Sequence, residues 1–237
     1  MSGLPKHKVG FSTRDIYRTC CGQIAEALGK DGFHYQKSKA ILQRESVKGD
    51  LVFQIAFQSS HLNNSGKLIA LWIHCHVFSP TLKTWRTNHA CLRKDSDFVA
   101  GGQIGNLLEL PSWMEWNFAD SSTRSDLIIN VISTIREIAL PFFDQFEKIE
   151  ALLTGLTKGV PPGFHPADIL DILMCYRTQS EVAIAAQKML EELPGALGRY
   201  RTALAQFREE GLPAFTLTNH GEVLAAATLL FGPKLKT

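Results

Sequence analysis

The stretch LWIHCHVF, residues 71–78, decides how the first half of this chain is read. It is the most apolar run in the sequence, and it alternates. Together with the two residues before it, it places Ile69, Leu71, Ile73, Cys75 and Val77 on one side of an extended chain. Ala70, Trp72, His74, His76 and Phe78 fall on the other. A period of two is that of a strand buried on one face. A strand over 68–79 therefore anchors a sheet, and its second face carries two imidazoles whose Cα atoms stand roughly 7 Å apart.

Two histidines at that spacing can donate two metal ligands. A catalytic zinc takes a third protein ligand and a second shell of hydrogen bonds. His61, His89 and Cys91 are the conceivable third ligands, and none stands in a metal-ligand spacing. Flanked by Trp72 and Phe78, the pair reads instead as the partly covered face of an ordinary sheet. No metal and no cofactor is expected.

The rest of the sheet follows from the same alternation. Leu51, Phe53, Ile55 and Phe57 interleave with Gln54 and Gln58, predicting an antiparallel strand over 51–58. Shorter strands are expected at Phe33–Gln36 and Ala40–Glu45, and Thr81–His89 reads as another strand or an extended return. Before them, Ile16, Cys20, Ile24 and Leu28 recur every fourth residue, predicting a helix over 14–28 capped by Ser12 or Thr13 and ended by Gly29 and Gly32. Gly101-Gly102 marks a turn or bulge before a short strand, and Trp113 and Trp116 anchor the crossing into a helical half.

From Asp120 the pattern is helical. Ile128, Ile132, Ile135 and Ile138 form a stripe over 121–139, with Val131 beside them. Pro141 interrupts and restarts this helix through Phe142, Phe143 and Phe146, and it runs on to Gly155. The loop KGVPPGFHP is an internal boundary, and helices are expected at 166–176, 179–192, 196–210 and 220–231. The fold class is α+β. An antiparallel sheet packs with an N-terminal helix and a long helix after the sheet over residues 10–156, and a helical bundle over 165–231 packs on that unit.

Composition places the chain among ordinary soluble proteins, with 45% hydrophobic and 20% charged residues. The N-terminal MSGLPKHKVGFSTRD has basic residues without an apolar core, so no secretory signal is expected. Five cysteines (Cys20, Cys21, Cys75, Cys91 and Cys175) include no CxxC pair, which points to a reduced, cytoplasmic setting. Asn63-Asn64-Ser65 is then a polar loop rather than a glycosylation site.

Charge is unevenly spread. Residues 1–108 hold 14 Lys/Arg against 7 Asp/Glu, whereas residues 109–237 hold 11 against 16. Asp168, Asp171, Glu181, Glu191, Glu192, Glu209 and Glu210 fall on or between the C-terminal helices and form the first candidate surface for a protein partner. Trp72, His74 and His76 form the second. No catalytic residue is assigned: there is neither a G-x-S-x-G elbow nor a phosphate-binding loop, and Glu109 and Glu115 stand alone. His165 reads as a structural loop histidine. Tyr35 and Trp85-Arg86 lie in the basic half, but without a dense cationic stripe nucleic acid is not the expected partner.

The order of parts has a precedent. A helix precedes GFHYQKS, a meander follows, then VAGGQIGNL, a tryptophan, and IREIALPFFDQFEKIEALL. Residues 10–156 resemble a bacterial domain family of unknown function marked by a GG-x-x-G-x-L turn and a helix ending in "alPff". The matching positions are Gly101, Gly102, Gly105, Leu107, Trp113, Ala139, Leu140, Pro141, Phe142 and Phe143. Such proteins resemble the cytosolic immunity proteins encoded beside secreted toxins, including nuclease effectors of type VI secretion. The resemblance implies a non-enzymatic inhibitor of a cognate toxin; the helical tail 165–231 departs from it. A metal-dependent hydrolase using the His74/His76 face, a nucleic-acid-binding module and a homo-oligomer remain open alternatives.

Overall fold

The computed structural model describes residues 12–64, 66–94, 96–161, 163–213, 217, 219–232 and 235. The basic N-terminal stretch up to residue 11, and Ser65 of the sequon, lie outside the described residues. In chain order the first half comprises α1 (Thr13–Leu28), β1 (His34–Gln36), β2 (Ile41–Glu45), β3 (Val52–Ser59), β4 (Ala70–Phe78), α2 (Pro80–Asn88), β5 (Phe98–Gln103) and β6 (Trp116–Asn117). The strands form one antiparallel sheet in the order β1-β2-β3-β4-β5. β4 is its spine. One edge of β4 pairs with β3 along its whole length, while the other is shared: β5 takes His74–Phe78 and β6 takes Ala70–Leu71.

The alternation in β4 sorts its side chains as expected. Leu71, Ile73, Cys75 and Val77 are fully buried, as are Phe53 and Ile55 beside them on β3. Ala70 points the other way and is also buried, under the β6 crossing. The core face is covered by α1, held at its start by Ser12, whose Oγ accepts the Asp15 N–H at 3.2 Å. The aromatic pair after the sheet covers it too: Phe143 stacks on Phe53 with ring centroids 5.0 Å apart.

Two expectations fail here for identifiable reasons. Residues 81–89 are helical, not extended. Ser79 caps α2 by accepting the Leu82 N–H at 3.0 Å, Pro80 supplies a pre-set first turn, and Leu82 and Arg86 share the buried side four residues apart. Gly101 and Gly102 lie inside β5 rather than before a strand, and the irregularity falls opposite Val77 and Phe78.

The second half begins with α3 (Arg124–Thr134), a π-helical turn at Ile135–Ala139 and α4 (Leu140–Asp144). Pro141 has no N–H to offer the preceding turn. The helix stays continuous by widening there, with the Leu140 N–H bonded to the Ile135 carbonyl. The break lies instead between Asp144 and α5 (Ile149–Leu156), where the stripe pattern runs straight through. Then α6 (Pro166–Tyr176), α7 (Gln179–Glu192), α8 (Ala196–Glu210) and α9 (His220–Phe231) occupy the expected spans. Residues 166–173 of α6 are buried without exception, between α2 and β5 on one side and α5, α7 and α9 on the others. The bundle and the sheet thus share one continuous core. Among the described residues no helix is long and apolar enough to cross a membrane.

Candidate binding face

The outer face of the sheet can be read row by row from its register. Gln43, Gln54, His76 and Gly101 stand side by side, then Ile41, Ala56, His74 and Gln103, then Gln58 and Trp72. These three rows contain no charged residue. Most of their side chains are half-buried by one another, and Gln36 and Gln43 are joined by a side-chain hydrogen bond.

A loop leaning over this face is tied down by Gln103. Its buried side chain accepts the Gly105 N–H at 2.8 Å and donates to the Met114 carbonyl at 2.6 Å, so one amide fixes both ends of the loop. Gly105 is required there, because a Cβ would sit 1.9 Å from the Ser112 carbonyl oxygen. The loop delivers Trp113 edge-on to Trp72, with ring centroids 5.5 Å apart, and against His74 at 6.4 Å. Trp72 Nε1 in turn donates to Glu115 at 2.6 Å, which gives that solitary carboxylate a positioning role. Trp113 is 58% exposed. It was expected as a buried anchor; only Trp116 fills that role, buried and bonded to Asn130.

The imidazoles of His74 and His76 lie 6.0 Å apart. Burial lowers the pKa of both below the ordinary histidine value, and for His76 the charge of its neighbour lowers it further. His74 Nε2 is buried with no hydrogen-bond partner. Among the described residues no group of three His, Cys, Asp or Glu could hold a metal ion. His89, a conceivable third ligand, is stacked on Trp85 at the end of α2 instead.

The acidic residues of the bundle do not make one surface. Asp168 and Asp171 are 2% and 0% exposed and grip Arg86, itself 1% exposed, with Nη2 and Nε each 2.9 Å from a carboxylate oxygen. They are removed from the candidate partner surface because they are interior. Burial raises the Asp168 carboxyl to about 6 against the pull of Arg93 and Arg86, and raises Asp171 as well. Glu181 closes a capping box with Thr178. Glu191 and Glu192 are exposed near the start of α8, and Glu209 and Glu210 at its end, so the 15 residues of that helix hold the two pairs about 20 Å apart. The burial of Arg86 likewise removes the Trp85-Arg86 pair as a nucleic-acid contact.

Comparison with known protein families, curated proteins and solved structures returned no match. The motif positions that carry the family resemblance have packing roles. A Cβ on Gly101, whose φ is +137°, would lie 2.1 Å from the Cys75 carbonyl oxygen, and Phe142 and Phe143 are buried. What the sequence concealed was Gln103 as the brace of the loop and Arg86 as an interior ion. The polar Gln-Ile-Gly-Asn after a glycine pair is the only signal that pointed to the first.

Proposed function

We propose that this chain is a non-enzymatic immunity protein that binds and neutralises a cognate secreted bacterial toxin, with a nuclease effector of type VI secretion as the leading class. The toxin class rests on the family resemblance alone. The docking surface in this reading is the outer sheet face, not the acidic bundle. The observation that carries it is Trp113, held over Trp72 and His74 while remaining more than half exposed. Tryptophans on a rigid support dominate protein–protein binding energy, and an uncharged surround keeps the desolvation cost of docking low.

The test uses the secreted effector encoded beside this chain. Trp113→Ala and Trp72→Ala should each weaken effector binding by about 2 kcal/mol or more, roughly thirtyfold, and abolish protection of cells. Glu191→Lys with Glu192→Lys should leave affinity nearly unchanged at moderate salt. The opposite pattern would move docking to the bundle. An effector that binds neither the parent protein nor any variant would end the immunity reading itself.

A further inference from the structure

We propose that the cavity between the segment before β5 and the turn into α6 is a binding site for a small organic anion, its phosphate or carboxylate head held by Arg93 and Lys94. This site is separate from the toxin-docking reading and does not depend on it. The cavity measures about 970 Å³, within the range that accommodates small ligands, and is walled by the 91–96 segment, the start of β5 and the Gly163–His165 turn.

Three observations converge on an anion. First, Arg93 Nε is buried without a hydrogen-bond acceptor and stands 3.8 Å from Asp168 Oδ2, beyond bonding reach. A buried guanidinium donor left open asks for an acceptor that the surrounding chain does not supply. Second, Asp168, the acidic group in the wall, already accepts from Arg86 at 2.9 Å. Its charge is therefore matched from below, while exposed Lys94 adds a cation at the rim. Third, Phe98 and Phe164 line the same space and offer an apolar seat for the body of the ligand.

The site is also rigid before any ligand arrives. The Arg93 backbone N–H is bonded to Asp171 at 3.0 Å, which fixes the root of that side chain. Arg86 Nη1 donates to the carbonyls of Ser96 and Phe98 at 3.1 and 2.9 Å, and the Gly101 N–H donates to the Gly163 carbonyl at 2.7 Å. All three walls are thus tied to each other, so little ordering cost falls on binding.

The experiment titrates the full chain with phenyl phosphate, benzoate, inorganic phosphate and benzyl alcohol at fixed ionic strength, following amide resonances by NMR. Phenyl phosphate or benzoate should bind saturably, with the largest shifts at Phe98, Gly101 and Phe164. Which of the two binds more tightly identifies the head group. The better anion should exceed both benzyl alcohol and inorganic phosphate by roughly tenfold, and Arg93→Gln with Lys94→Gln should weaken it by about tenfold or more. Lys94→Gln alone, at an exposed position, gives the same direction of change if the double variant fails to fold. The proposal is overturned if neither anion saturates below about 10 mM. It is equally overturned if benzyl alcohol binds as tightly as they do, or if a folded variant binds like the parent.

Discussion

Arg86 Nε lies 2.9 Å from Asp171 Oδ2, and both side chains are wholly shielded from solvent. The two residues belong to α2 and α6, on either side of the boundary between the sheet and the bundle. A desolvated arginine is tolerable only because every direction it donates in is met: two carboxylates and two carbonyls. Arg86→Met should destabilise the protein by about 3–5 kcal/mol in urea unfolding, because two buried carboxylates lose their cation. Adding Asp168→Asn and Asp171→Asn to that variant should recover part of the loss. An Arg86→Met protein as stable as the parent would show that the cluster contributes nothing to joining the halves.

Ile73 sits on the core side of β4 and is completely buried. Ile73→Asp should cost about 3 kcal/mol or more, since an unpaired charge would enter the sheet's interior. A cooperative melt close to that of the parent would contradict the strand orientation.

Two glycines make opposite predictions. Gly105→Ala should open the loop that carries Trp113, because the added Cβ has no room beside Ser112. Near-ultraviolet circular dichroism should report the lost Trp72–Trp113 contact. Gly22→Ala, in the middle of α1 with nothing within 4 Å of the new methyl, should stabilise by roughly 0.5–1 kcal/mol.

The imidazole pair predicts how stability responds to acid. Both pKa values lie below the ordinary 6.5, so the folded state binds fewer protons than the unfolded chain as pH drops through that value. Stability should therefore be complete above about 6.5 and decline on acidification toward the folded pKa values. His74→Gln with His76→Gln should flatten the decline of melting temperature between about pH 7 and pH 5. A parent protein with a flat profile over that window would contradict the burial of the pair.

Local pattern made much of this fold legible. The period of two in β3 and β4, and the glycines, prolines and caps around α6 to α9, act within a few residues, and those elements fall where the sequence places them. Failures came where a distant or competing term decides. Thr81–His89 contains β-branched residues that suit a strand, yet Ser79 and Pro80 start a helix whose Arg86 finds its partners more than 80 residues away. Asp168 and Asp171 look like dipole-compensating surface charges until that arginine is known. Of the candidate site, the Trp72/His74/His76 row was readable from alternation alone. Trp113 was not, because its place over that row depends on a glutamine bonded across the loop.

The shared edge of β4 has a consequence for how this protein can diversify. Because β5 and β6 dock on the same strand, the chain between them leaves the sheet and returns to it like a buckle on one strap. Its two ends are fixed by the Gln103 side chain and by β6 pairing, while its outermost residue, Leu110, is 86% exposed. Residues between Asn106 and Pro111 are therefore open to exchange or lengthening without a change in strand register. Recognition and foldability are written in separate parts of the chain, so a lineage pressed to meet a changing partner has a segment it can rewrite while the scaffold stays as it is.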